Sequence, residues 1–169
     1  MGYTNGELDD IQDRWKLRFP PDLLELMRSR RPLVRNGLDW LKTSPAEIQR
    51  ILEWPFEGIW FDVREGDLWW PEWGEKPKAL FDQGTKVGEV IAKAPKLIPL
   101  DGHRYLPETP NERGNPVFSV YQSDVIYYGA DLADWIVREE RGWEAGRSID
   151  PAHPPKEIPF WSEMVRRNG

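Results

Sequence analysis

The stretch from Trp54 to Pro77, WPFEGIWFDVREGDLWWPEWGEKP, constrains this chain more than any other. It carries five of the ten tryptophans, Trp54, Trp60, Trp69, Trp70 and Trp73, interleaved with carboxylates. A buried indole removes about 150–250 Å² from water and needs a partner for its N–H. A segment this rich must therefore sit at the centre of a core or form a wall for binding. From Gly58 to Val63, Ile59, Phe61 and Val63 alternate with Trp60 and Asp62, which is the period of a strand. Glu65-Gly66 offers a tight turn, with Gly66 at positive φ. Leu68 to Trp70 reads as the returning strand. The expectation is a tryptophan-rich hairpin with Ile59, Phe61 and Val63 on its core face. Trp60, Asp62, Trp69, Trp70 and Trp73 are the candidate binding residues of the other face. Only one of Trp69 and Trp70 can point there, because neighbours on a strand face opposite ways.

At 169 residues the chain is about one domain long, and the expectation is a single domain over 1–169. Its 39% hydrophobic and 31% charged content is that of a globular chain. No apolar run approaches the roughly 20 residues that a membrane helix needs. The start, MGYTNGELDD, lacks the basic and apolar regions of a secretory signal. Cysteine is absent, which excludes disulfides, thiolate zinc sites and cysteine nucleophiles. These features point to a cytoplasmic protein with no membrane partner. The net charge of −6 argues against nucleic acid, whose binders carry a basic field. The one basic cluster, Arg28, Arg30, Arg31 and Arg35, reads as a solvated helix end. An acidic surface favours encounter with a basic partner.

Helical periodicity opens the chain. Thr4-Asn5-Gly6-Glu7 fits a capping box, and Leu8, Ile11 and Trp15 follow at helical spacing. Pro21 starts a second helix through Leu23, Leu24 and Met27. Ser44-Pro45-Ala46-Glu47 caps a third, with Ile48, Ile51 and Leu52 on one face, which Trp54-Pro55 ends. Residues 78–94 are helical, and Gly84 and Gly88 give that helix a flat stripe that a sheet can approach. Strands are expected at Lys96 to Leu100, Arg104 to Leu106, Val117 to Gln122 and Val125 to Tyr128. The last two form a hairpin around Ser123-Asp124. Asp131 caps a helix with Leu132, Trp135 and Ile136 inward. After Gly142 the chain is proline- and charge-rich, with Phe160 and Trp161 docking back. The order predicts an α+β fold with a mostly antiparallel sheet, N-terminal helices and a helix on one face.

The sequence lacks a phosphate loop, a dinucleotide-binding G-x-G-x-x-G and a serine elbow. With two histidines, His103 and His153, a metalloprotease H-E-x-x-H is impossible. His153 reads as surface. His103 stands with Asp101 and Arg104 at one predicted turn, where an imidazole and a guanidinium can act as base or anion clamp. His103 and Arg104 therefore join the candidate binding residues. Asp62, opposite the core face, needs a donor if buried, and an indole N–H or Arg104 is the expected one. No catalytic residues, metal ligands or cofactors are assigned.

The order of these elements resembles the SUKH superfamily, the Smi/Knr-type domains. The matching stretches are ELDDIQDRWKLRFPPDLLELM, the tryptophan segment, KLIPLDGHRYLP and NPVFSVYQSDVIYYGADLADWIVRE. The likeness covers about residues 7 to 140, leaving 141–169 as an extension. Where many members have an Asn-Gly-Gly turn this chain has Arg35-Asn36-Gly37-Leu38. Of a glycine-rich segment only Gly102 remains, so the resemblance is to a divergent branch. It implies an α+β fold and a non-enzymatic bacterial protein of immunity type that binds and neutralises a toxin domain, often a nuclease. The alternative reading is a sugar- or nucleotide-binding domain built on the tryptophan segment. A third, a hydrolase or lyase, would use Asp62 and His103.

Overall fold

Thr4 opens α1 (Asn5–Trp15) with a complete capping box, its hydroxyl accepting from the Glu7 N–H while the Glu7 carboxylate accepts from the Thr4 N–H. Pro21, pre-set for a first helical turn, starts α2 (Pro21–Ser29). Both helices lie where periodicity places them. The computed structural model describes residues 1–141 and 148–168. Residues 142–147 of the expected extension lie outside the described residues.

The tryptophan segment is not a hairpin. Ser44 accepts from the Glu47 N–H and opens α3 (Pro45–Glu65), 21 residues that run straight through Pro55. Proline inside a helix lacks the N–H that would bond four residues back, at a cost of about 3 kcal/mol. Here the carbonyl released by Pro55 belongs to Ile51, and it accepts the Tyr105 hydroxyl at 2.8 Å instead. With that group satisfied, the helix continues. Its buried positions, Pro55, Ile59 and Val63, follow helical spacing. Phe61, expected on the core face beside Ile59 and Val63, is 43% exposed. The apparent alternation arises because Ile59 and Val63 are four apart, a spacing compatible with both periods. Glu65-Gly66 is the helix end, not a hairpin turn. Trp70 to Gly74 then forms a 3₁₀ turn (Pro71–Trp73).

α4 (Leu80–Lys93) packs antiparallel to α3, which brings Trp60 to Gly84 and Phe56 to Gly88. The glycine stripe receives aromatic rings of a helix, not a sheet. The four strands are β1 (Leu97–Asp101), β2 (Arg104–Pro107), β3 (Val117–Tyr121) and β4 (Asp124–Gly129). They form one antiparallel sheet in sequence order. The Asp131 carboxylate accepts from the Asp134 N–H at 2.8 Å and caps α5 (Leu132–Arg141).

Alternate strand residues go to two cores. Ile98, Leu100, Leu106, Val117 and Tyr128 meet α1, α2 and α5 around Leu8, Leu23, Met27 and Trp135. Leu97, Tyr105, Phe118, Val120 and Val125 meet α3 and α4 around Ile59, Val63 and Val87. Covered on both faces, the strands need no polar alternation, which accounts for apolar runs such as Leu97-Ile98-Pro99-Leu100. The fold is α+β, with an antiparallel sheet behind N-terminal helices and helices on both sides.

The C-terminal stretch belongs to the second core. Ile158, Trp161 and Met164 are buried there, and the Trp161 indole donates to the Pro95 carbonyl at 2.7 Å. α6 (Trp161–Asn168) runs along β4, where the Asn168 amide donates to the Ser123 and Val125 carbonyls. On the opposite edge the Leu38 N–H donates to Leu100 of β1. Each sheet edge thus has part of its backbone hydrogen-bonding capacity taken up within the chain.

Candidate functional site

One stripe of α3 fixes the site. Residues Trp54, Gly58 and Asp62, each four apart, face the β3–β4 hairpin in succession. The Trp54 indole donates to the Val120 carbonyl at 3.1 Å. Gly58 lies against the Gln122 backbone. Asp62 accepts from the Ser123 N–H at 2.8 Å and its hydroxyl at 2.6 Å. This clamp holds the end of β3 and the β3–β4 turn against the second half of α3. A cleft of about 600 Å³ opens where the clamp ends, between α3, the β1–β2 turn and the loop around Gly37.

The cleft has an aromatic wall and a mixed polar rim. Tyr121 stands between Trp54 and His103, its ring centroid 6.0 Å from each. It is 53% exposed, whereas Tyr105 forms part of the floor and is buried. Burial pushes the Tyr105 hydroxyl well above the usual phenol range, so it remains a neutral donor to Ile51. The charged side chains of the lining are Glu47, Arg50 and Asp101. Glu47 and Arg50, one helical turn apart, form a bidentate pair at 2.6 and 3.0 Å.

Asp101 and His103 are both perturbed. Burial raises the Asp101 carboxyl above the usual carboxylate range, and nearby Glu139 adds to the effect while Arg104 opposes it. Burial lowers the His103 imidazole below its ordinary value, helped by the Arg104 charge. Each shift favours the neutral form. Such perturbed groups in a cleft mark a candidate site.

The candidate residues do not come together in one place. His103 lines the cleft, but Arg104 turns toward α5. Its guanidinium lies 3.9 Å from the Tyr128 ring centroid, with its Nε 3.9 Å from the Glu139 carboxylate. Neither an indole nor Arg104 serves Asp62, whose donors are both on Ser123. Asp62 is therefore a structural acceptor at the hairpin turn, away from the cleft lining, and no Asp62–His103 pair assembles. Trp60 packs its ring against Gly84.

Trp69, Trp70 and Trp73 do cluster, but as a core element. Trp70 and Trp73 are 8% and 5% exposed, with centroids 5.3 Å apart. Arg167 stacks on Trp70 at 4.1 Å and is itself tied to Glu72 and Glu163. Trp69 meets Trp73 edge-on at 5.4 Å, and its indole donates to the Gly74 carbonyl. The Trp69 indole N–H is thus used within the cluster.

Cleft residues that are not among the sequence candidates include Glu47, Arg50, Trp54, Asp101 and Tyr121. Glu47, Arg50 and Trp54 share a helix face at i, i+3 and i+7. Among the described residues, no group of three or more His, Cys, Asp or Glu is placed to hold a metal ion. None of the described helices is long and apolar enough to cross a membrane. No family model matches the chain, nor does any curated protein or any solved structure.

Proposed function

We propose that this chain is a non-enzymatic protein-binding domain of immunity type, which engages a basic toxin domain through the cleft beside α3. The observation that carries the reading is Tyr121, a large ring left 53% exposed between Trp54 and His103 at the mouth of the cleft. Exposed aromatic anchors in a recess are what interface hot spots are made of. The net charge of −6 suits a basic partner by steering encounter. The toxin assignment follows from the resemblance to the SUKH superfamily.

Co-expression with the product of the neighbouring reading frame, and capture of any complex formed, tests this. The expected result is rescued growth and a complex that Tyr121→Ala weakens. A neighbour that is neither toxic nor bound, or a complex that Tyr121→Ala leaves intact, refutes the reading.

The volume of the cleft supports a second reading, because about 600 Å³ falls within the range of small-ligand pockets. A sugar or nucleotide bound there would stack on Trp54 and Tyr121 rather than on the tryptophans after residue 68. Fluorescence titration with both compound classes addresses it: quenching that Tyr121→Ala abolishes is expected, and no change with either class removes it.

A further inference from the structure

We propose that the cleft holds an arginine side chain presented by the protein partner, its guanidinium lying along the Tyr121 and Trp54 rings and paired with the Asp101 carboxylate. This rests on the protein-binding reading and names its anchor.

The charges of the lining point to a cation. Arg50 is the one cation among the cleft residues, and the bidentate contact with Glu47 neutralises it. Asp101 and Glu139 share the single guanidinium of Arg104, which also lies over the Tyr128 ring, so two carboxylates face one cation and the Asp101 side of the cleft keeps a net negative charge. Burial penalises the Asp101 charge, so a positive group arriving beside it is favoured over an anion or a neutral amide.

The walls select the shape of that cation. Trp54 and Tyr121, centroids 6.0 Å apart and tilted by 60°, both line the cleft. A guanidinium is flat, weakly hydrated and able to stack on an aromatic ring while donating two parallel hydrogen bonds to a carboxylate. An ammonium is compact and strongly hydrated, and gives up more solvation on entering a recess. His103, whose imidazole is held toward its neutral form, adds no repelling charge at neutral pH.

The test is an NMR titration with N-acetyl-arginine methylamide, its citrulline counterpart and inorganic phosphate. The expected result is shifts of the Trp54 indole N–H, the Tyr121 ring and the His103 ring with the arginine probe. Citrulline, isosteric but neutral, should bind roughly tenfold more weakly. Asp101→Asn, close in shape to the parent residue and checked for an unchanged unfolding curve, should abolish the preference for arginine over citrulline. Equal affinity for arginine and citrulline overturns the proposal. So do shifts confined to another surface, or phosphate binding at Arg50 without arginine binding. The capture experiment separates this from the broader reading. Capture of the neighbouring product that Tyr121→Ala weakens but Asp101→Asn does not keeps the cleft as interface and refutes the arginine anchor. Capture indifferent to both substitutions refutes the interface itself.

Discussion

Glycine is the weakest ordinary helix former, so replacing one inside a helix by alanine normally stabilises it by about 0.8–1 kcal/mol. Gly58→Ala should do the reverse. A Cβ at residue 58 would lie 2.8 Å from the Gln122 Cα and 3.0 Å from its N. Those are backbone atoms, and Gln122 already sits at φ 57, so the turn has little freedom to move aside. Withdrawal of the helix is opposed one turn to either side. It would stretch the Trp54–Val120 bond at 3.1 Å and the Asp62–Ser123 bonds at 2.8 and 2.6 Å. Overpacking against rigid neighbours costs about 2–3 kcal/mol, the upper part of its usual range. Subtracting the propensity gain leaves a net loss of about 1–2 kcal/mol. Gly84 and Gly88 supply the control. The nearest atoms to their virtual Cβ positions are side-chain carbons of Trp60 and Phe56, at 3.4 and 3.9 Å, which is ordinary contact. Gly84→Ala and Gly88→Ala should each gain about 0.5–1 kcal/mol. Urea unfolding followed by tryptophan fluorescence and far-UV circular dichroism, with a constant slope, measures all three. A Gly58→Ala chain as stable as the parent would mean that α3 does not press on the hairpin turn, and the clamp that shapes the cleft would be wrong.

Three further outcomes follow from the same contacts. Asp62→Ala leaves the Ser123 N–H without its acceptor and should cost about 1–3 kcal/mol in urea, with Tyr121 and Trp54 resonances shifting as the hairpin loosens. Tyr105→Phe should cost about 1–3 kcal/mol because the Ile51 carbonyl that Pro55 cannot serve loses its donor. In a Pro55→Ala background, where an amide N–H is restored, the loss should be clearly smaller, and an additive double-mutant cycle would refute the coupling. Burial alone would raise the Asp131 carboxyl, but the Asp134 and Ala133 N–H groups and His153 hold it below the usual range. Its folded pKa being lowered, the stability it contributes is complete above the unfolded value of about 3.9 and is lost as pH falls through the folded one. The unfolding midpoints of the parent and Asp131→Asn should therefore differ at neutral pH and converge in acid; a gap that widens below about pH 4 would contradict the assignment.

Local signals in the chain were read correctly wherever one period or one cap had no rival. The Thr4 capping box, Pro21 at a first turn, the Asp131 cap and the Val117 to Tyr128 hairpin all lie where expected, because each depends on neighbours in sequence. Of the candidate site, His103 was legible from its turn, but its partners were not. Trp54 stands at the expected helix end and was assigned to the hairpin segment, whereas Arg50 lies in a helix the spacing does predict, with no local sign that its face lines a cleft. Tyr121, a ring at the end of a strand, gives no sign in sequence of whether it is covered.

Composition and short-range spacing suffice for the α+β class, the mostly antiparallel character of the sheet and the absence of cysteine chemistry. Tertiary structure decided the fate of the tryptophan segment. Pro55 reads as a helix end in isolation, because the cost of an unbonded carbonyl is local. Inside the helix that cost is met by Tyr105, 54 residues beyond Ile51, whose hydroxyl donates to the Ile51 carbonyl. With that carbonyl satisfied by a distant donor, the expected strand is part of α3, Trp60 packs toward α4, and Trp54 clamps β3 and walls the cleft.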